Sequence, residues 1–312
     1  MAKRDLISID DLSAADVDLL LDTAESFLPV LQRDIKKVPT LRGRTVINMF
    51  FESSTRTSTS FDLAAKRLSA DTIGIKAKGS AVDKGESLKD TIITLSAYSP
   101  DIIVIRHPRA GACQLASANT TASIINAGDG KHQHPSQCLL DLFTLRQAFG
   151  RNLRGLKVAI VGDILHSRVA RSDIAGFQLL GMDVTVIAPP TMMPREVDSL
   201  GVNVRYDLAE LHKADVIYLL RIQQERITQG ANFLPSLREY ANVWGVTRSR
   251  LRPGQKVMHP GPINRGVEIS AAVADDPDTL IAQQVEAGLA VRMAILYRTI
   301  VGSTDSDTKE AL

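Results

Sequence analysis

Apolar and polar positions fall in blocks along this chain, and the blocks read as strands and helices in turn. Leucines and valines recur at helical spacing over residues 14–28, with Ser13 placed to cap the start and Pro29 expected to bend or interrupt the run. Residues 45–51 form an apolar stretch that reads as a buried strand. A hydroxyl-rich segment, residues 52–60, follows, and then a helical face on Phe61, Leu63, Ala64, Ala65 and Leu68. The order repeats with a short strand at 72–75, a polar loop at 80–86, and a helix at 88–95 with Ile92 and Ile93 on its apolar side. Strand 101–105 is stopped by Arg106-His107-Pro108, and strand 123–126 ends in Ala127-Gly128-Asp129-Gly130. A strong helix pattern covers 137–149 and ends at Gly150.

The second half starts the pattern afresh. Strand 157–161 runs into Gly162-Asp163, and a helix at 169–180 stops at Gly181. Strands are expected at 183–187, 202–206, 215–220 and 256–258, the last before His259-Pro260-Gly261-Pro262, and a long helix at 280–300. Strands alternating with helices predict an α/β chain of two domains, each a mainly parallel β-sheet flanked by helices. Ligands of such sheets sit beyond the carboxyl ends of the strands, so the active site is expected in the interdomain cleft. The helix at 137–149 is expected to cross from the first domain to the second, and the last helix to return to the first.

Composition supports this picture and narrows the chemistry. A chain of 312 residues suffices for two domains of about 150 residues each. With 44% hydrophobic and 23% charged residues it reads as globular, and with only 4% aromatics its cores must be filled by Ile, Leu, Val and Ala. A net charge of +2 without a long basic run argues against a nucleic-acid partner. No membrane-spanning apolar stretch and no signal-peptide core stand out, so a cytoplasmic protein is expected. Cys113 and Cys138 form no CxxC pattern and read as reduced thiols.

Candidate chemistry stands at the predicted strand ends. The strand at 45–51 feeds into Ser54-Thr55-Arg56-Thr57 and then a helix. Open N–H groups and the positive dipole end of a first turn attract anions, while hydroxyls and a guanidinium add donors. Taken alone, the run could equally be a serine- and threonine-rich cap. Arg106 after the next strand, and His134 and Gln137 after the one beyond, tip the balance towards an anion site. In the second half, Arg168 before a helix and Arg221 after a strand suit a substrate carrying carboxylates, with Gln223 adding donor and acceptor capacity. Each of these arginines taken singly could instead make a local salt bridge. There is no GxxxxGK[ST], GxGxxG or GxSxG, so ATP, dinucleotide and serine-hydrolase chemistry are not indicated. His132 and His134 lack partners at ligand spacing, so no metal is expected.

In order along the chain, the segments Phe51 to Thr57, Lys84-Gly85-Glu86-Ser87, Arg106-His107-Pro108, Gly128-Asp129-Gly130, His134-Pro135-Ser136-Gln137, Gly162-Asp163, Ser167-Arg168, Arg221-Ile222-Gln223 and His259-Pro260-Gly261-Pro262 resemble the carbamoyltransferase family. The resemblance covers almost the entire chain and favours the aspartate carbamoyltransferase branch. Ornithine enzymes of the family read HCLP where this chain has His259-Pro260-Gly261-Pro262, and Arg221 would repel an ammonium group. The resemblance implies transfer of the carbamoyl group from carbamoyl phosphate to the amine of L-aspartate, giving N-carbamoyl-L-aspartate and phosphate in de novo pyrimidine (UMP) biosynthesis, without a cofactor. The rivals are a carbamoyltransferase acting on ornithine or a related amine and, from another class, a non-catalytic anion-binding or assembly subunit.

By the same resemblance, residues 1–135 are the carbamoyl phosphate-binding domain, with helix 285–312 packing back on it, residues 136–150 the crossing helix, and 151–284 the aspartate-binding domain. Ser54, Thr55, Arg56 and Thr57 would bind the phosphate, and Arg106 phosphate and carbamoyl oxygen. Thr55 and His134 would hold that oxygen, and Gln137 the carbamoyl amine. Arg168, Arg221, Gln223 and the backbone at Pro260 and Gly261 would hold aspartate. Ser80 and Lys84, the latter touching both substrates, would be inserted from an adjacent subunit. Thr55, Arg56, Lys84, Arg106 and His134 are thus the expected catalytic set, in a homotrimer with shared active sites. The family also pairs with a regulatory chain or with dihydroorotase, neither of which is contained in this sequence.

Overall fold

The structure, a computed structural model, describes residues 4–76, 85–223 and 236–309, with side chains described as far as 301. The chain divides into two compact units, Met1–Phe143 with Glu286–Leu312, and Thr144–Val285. Each is built on a parallel sheet flanked by helices, the architecture expected from the alternation of strands and helices.

The first unit contains α1 (Ala14–Gln32), β1 (Thr45–Phe50), α2 (Thr55–Arg67), β2 (Asp71–Lys76), α3 (Leu88–Ser96), β3 (Ile102–His107), α4 (Ala112–Ser117), β4 (Ser123–Asp129) and the start of α5 (Pro135–Phe149). Its sheet has the order β2-β1-β3-β4. Strands β1 and β3 are covered on both faces, which is why Val46, Ile47, Met49 and residues 102–105 are nearly all apolar and all buried. β2 lies at the edge and is largely exposed.

Three local expectations need correction. Pro29 does not interrupt α1, which continues to Gln32. Pro29 has no N–H for an i→i−4 bond, but the continuous buried face of Val17, Leu21, Ala24, Phe27 and Val30 carries the helix past it. Leu63 and Ile93 do not belong to the packed faces of α2 and α3, being 38% and 49% exposed. Phe61, Ala64, Ala65 and Leu68, and likewise Thr91, Ile92 and Leu95, supply the buried stripe, and one helical step carries Leu63 and Ile93 off it. Arg106 and His107 do not stop β3 but complete it, because the ladder extends through the pairs Phe50–Arg106 and His107–Asp129.

The second unit contains β5 (Lys157–Val161), α6 (Arg168–Leu179), β6 (Asp183–Ile187), β7 (Asn203–Arg205), β8 (Val216–Leu219), α7 (Leu237–Trp244), β9 (Lys256–Met258) and α8 (Ala271–Ala274). The last helix, α9 (Ile281–Lys309), begins here and continues into the first unit. The sheet order is β7-β6-β5-β8-β9, all parallel. Ala159, Val161, Ile187, Ile217, Leu219 and Val257 form the centre of its core on one face. Both sheets contain a point where the strand order reverses, between β1 and β3 in the first and between β5 and β8 in the second. The crevice outside the carboxyl ends at such a point is where open α/β sheets bind ligands. Among the described residues, no helix is long and apolar enough to cross a membrane.

Candidate active site

In the first unit the reversal point is bordered by the ends of β1 and β3. The segment leaving β1 turns directly into α2. Ser54 occupies the N-cap position, and Thr55, Arg56 and Thr57 form the first turn. Ser13, Ser87, Ser167, Ser236 and Ser270 precede other helices, and each accepts a first-turn N–H on its hydroxyl. Ser54 makes no such side-chain cap bond, which argues against the plain-cap reading of this run. The Ser54 hydroxyl therefore does not occupy the first turn of α2, where the helix dipole favours an anion. Thr57 is buried, whereas Thr55 and Arg56 are exposed.

Arg106 lies one residue from the end of β3 and is aimed by two neighbouring strands. Its Nε is 3.4 Å from the Glu52 carboxylate beyond β1, and its Nη1 donates to the Ala127 carbonyl on β4 at 3.4 Å. Next to it, His107 stacks edge-on against Phe51, with 4.9 Å between ring centroids, and its Nδ1 accepts the Arg109 N–H at 3.0 Å. Burial, with the charge of Arg109 adding to it, holds the His107 imidazole below its usual range.

The turn from β4 to α5 is shaped by Asp129, which has no exposed surface. Its carboxylate accepts the Gly111 N–H at 2.9 Å, Asn126 Nδ2 at 2.8 Å and the Gln133 N–H at 3.3 Å, and meets His132 Nδ1 at 3.0 Å. Gly130 beside it has φ +50, and a Cβ there would sit against the backbone of Arg109 and Ala110. This turn delivers His134, which is buried, immediately before α5 and Gln137 into its first turn. The Ser136 hydroxyl is 3.4 Å from His134 Nδ1, and Gln137 Nε2 donates to Asp141 at 3.1 Å.

In the second unit the reversal point lies between the ends of β5 and β8. Gly162 has φ +133, and a Cβ at this position would run into the carbonyl oxygen of Leu220, so the two strand exits can approach only with glycine here. Asp163, fully buried, accepts the His166 N–H at 3.1 Å, meets His166 Nδ1 at 2.9 Å and accepts the Gln223 N–H at 3.1 Å. Arg168 is the first residue of α6 rather than the residue before it, because Ser167 caps the helix through the Ala170 N–H. It is only 3% exposed. Arg221 and Gln223 follow β8, and Pro260 and Gly261 follow the adjacent β9. The β9 exit is organised by His259, whose Nδ1 accepts the Gly261 N–H at 2.8 Å and whose Nε2 lies 3.1 Å from Glu268. Gly261–Pro262 is a cis peptide bond.

The expected site residues thus form two groups, each at the strand exits of one sheet. Ser80 and Lys84 lie outside the described residues. A cavity of about 800 Å³ in the second unit, lined by Ile164, Leu165, Arg171, Arg195 and Glu196 among others, contains none of the expected residues. Among the described residues no group of three or more His, Cys, Asp or Glu could hold a metal ion. Sequence reasoning missed Glu52, Asp129, Asp141, Asp163 and Glu268, which touch the expected site residues or the turns that carry them. Glu52, Asp129 and Asp163 stood within the resembling segments without an assigned role, and a carboxylate three residues before a histidine, in Asp129–His132 and Asp163–His166, was a further local hint.

Residues 4–147 match the family described as aspartate/ornithine carbamoyltransferase, carbamoyl-P binding domain, and residues 154–299 match its Asp/Orn binding domain. The aspartate carbamoyltransferase catalytic subunit of Geobacter sulfurreducens is 55% identical over 304 residues, covering 96% of this chain and 97% of the relative. That of Pelotomaculum thermopropionicum is 55% identical over 298 residues, covering 94% and 96%. Among solved structures, the aspartate transcarbamoylase of Trypanosoma cruzi in complex with carbamoyl phosphate and aspartate superimposes with a TM-score of 0.83 at 31% identity, covering 95% of this chain and 96% of that one.

Proposed function

Because the chain belongs to the aspartate/ornithine carbamoyltransferase family along both of its units, we propose that it transfers the carbamoyl group of carbamoyl phosphate to the amine of L-aspartate, releasing N-carbamoyl-L-aspartate and phosphate. The choice of aspartate rests on the relatives above, whose names specify that acceptor, and on Arg168 and Arg221 at the strand exits of the second unit. Guanidinium groups pair with the two carboxylates of aspartate through parallel hydrogen bonds, and they would repel the side-chain ammonium of ornithine. Arg168 at the head of α6 adds its charge to the positive end of the helix dipole, so a carboxylate there is attracted by both.

The single observation that carries the phosphate half is the first turn of α2, left uncapped by the Ser54 side chain, with Ser54, Thr55, Arg56 and Thr57 grouped at the β1 exit. In this reading the turn and its hydroxyls hold the phosphate. The neutral amine attacks the carbamoyl carbon, and the charge that grows on the carbonyl oxygen meets donors from Thr55, Arg106 and His134. Preorganised donors at such a position are worth on the order of 3 kcal/mol each in the barrier. Phosphate departs into the field of Arg56, Arg106 and Lys84, and one of its own oxygens takes the amine proton. Carbamoyl phosphate is a mixed anhydride with a good leaving group, so neither a covalent intermediate nor a metal is needed.

Incubating the purified protein with carbamoyl phosphate and, separately, L-aspartate and L-ornithine tests the proposal. Phosphate release matched by N-carbamoyl-L-aspartate is the expected result. Product with ornithine alone, or binding of both compounds without product, would overturn it. Ser80 and Lys84 act, in the same reading, from the neighbouring subunit of a homotrimer. Mixed and exchanged Lys84→Ala and Arg56→Ala proteins should then regain activity, since some mixed sites carry both intact residues.

A further inference from the structure

A carboxamide has one end that accepts and one that donates, and something must decide which end faces a substrate. Gln137 and Asp141 stand one turn apart on α5, both buried. Gln137 Nε2 donates to the two oxygens of Asp141 at 3.1 and 3.2 Å. A carboxylate only accepts, so the amide has to present its nitrogen there, and Oε1 points away as an acceptor. The carbamoyl group carries an NH2, which only donates. With the amide reversed, two donors would face each other.

Asp141 is itself held within a charged framework of the first unit. Arg292 on α9 is only 4% exposed, and burial draws its guanidinium down to about 10 while the Asp141 carboxylate acts in the opposite sense. Arg292 Nη1 donates to Ser60 Oγ at 3.2 Å and to the Gly288 carbonyl at 3.0 Å, and its Cζ lies 5.3 Å from the centre of the Phe61 ring. Gly288 is needed for this, since a Cβ there would stand 2.6 Å from Arg292 Nη1 and 3.4 Å from Leu140. Ser60 and Phe61 belong to α2, the helix whose first turn is the phosphate cradle, and Leu140 to α5.

We propose that Asp141 is a positioning residue that fixes the Gln137 amide with its oxygen towards the carbamoyl NH2, and so selects carbamoyl phosphate over acyl phosphates that lack this N–H. The proposal rests on the reading of Gln137 as the contact of the carbamoyl amine. Arg292 acts through Asp141, because the buried guanidinium and the Asp141 carboxylate attract each other.

Phosphonoacetamide and acetonylphosphonate, which differ only in NH2 against CH3, test this by calorimetric titration of the intact protein. The native protein should prefer the amide. Asp141→Asn should narrow that preference by about fivefold, the worth of one neutral hydrogen bond, and leave the affinity for the methyl ketone unchanged. A merely structural role would weaken both ligands together, and an unaltered ratio overturns the proposal. Asp141→Asn/Arg292→Met, which removes both buried charges, replaces the single variant if that does not fold. Gln137→Ala separates the two layers. If it narrows the preference and the Asp141 variants do not, the Gln137 reading stands and the role of Asp141 falls. If none of them does, both fall.

Discussion

Asp163, just beyond β5, accepts the backbone N–H of Gln223, beyond β8, at 3.1 Å. One buried carboxylate thereby ties together the two strand exits that carry Arg168 and Arg221. Its other oxygen takes the His166 N–H at 3.1 Å, so the turn into α6 and the segment after β8 share one anchor.

Replacing Asp163 by Ala leaves the buried His166 N–H and the half-buried Gln223 N–H without their acceptor, at a cost of about 1–3 kcal/mol for the buried group. The expected outcome is a lower melting temperature and a raised KM for aspartate, with the affinity for carbamoyl phosphate unchanged. Melting curves and steady-state kinetics with each substrate varied in turn check it. An equal loss for both substrates would mean that Asp163 supports the whole chain rather than the aspartate half.

Arg106 is aimed by Glu52 at 3.4 Å and by the Ala127 carbonyl at 3.4 Å. Arg106→Ala should lower kcat on the order of 10²- to 10³-fold, as removal of a preorganised donor does. Glu52→Gln keeps the shape and removes the charge, and should cost about tenfold or less. The ordering of the two is the test, read from kcat at saturating substrates. A Glu52→Gln loss as large as that of Arg106→Ala would give Glu52 a role beyond aiming the guanidinium.

How much of this was legible in advance follows from where each partner lies in the chain. The strands were readable because β1, β3, β5 and β8 are apolar on both faces, and β6 and β9 were expected at the residues where they occur. Arg106 and Arg221 were readable as polar residues closing apolar runs. Asp163 was not, because its action on Gln223 spans 60 residues. The same holds for Arg292, which reaches Ser60 from 232 residues away. Helix α4 escaped because six residues, three of them Ala or Ser, carry no periodic stripe. Leu63 and Ile93 misled because a leucine or isoleucine one step off the buried face looks the same in sequence.

His107 gives a pH prediction. Its imidazole is held below the ordinary 6.5, first by burial and then by the Arg109 charge. The unfolded chain therefore binds the proton more readily than the native one, so its contribution to stability is complete above about pH 6.5 and is lost as pH falls towards the lowered native value. Chemical denaturation between pH 7.5 and about pH 5 should show stability falling with pH, and His107→Gln should flatten part of that slope. An unchanged slope would mean that other groups dominate the window.

Gly162 and Gly155 offer a matched pair for the approach of the β5 and β8 exits. Both have positive φ, +133 and +80, so alanine is strained at either by roughly 1–2 kcal/mol. They differ in surroundings. A Cβ at Gly155 meets nothing within 4 Å, whereas at Gly162 it meets the Leu220 carbonyl oxygen and lies 2.9 Å from Leu220 Cβ. These are the backbone and Cβ of one buried residue, which leave little room to yield, and overpacking of this kind adds about 1–3 kcal/mol. Gly162→Ala should therefore be the less stable of the two. Since relief requires displacing the segment that leads to Arg221 and Gln223, it should also raise the KM for aspartate, which Gly155→Ala should leave alone. Equal melting temperatures and equal aspartate kinetics in the two variants would show that the exits have freedom to separate, and that their close approach does not hold Arg221 and Gln223 in place.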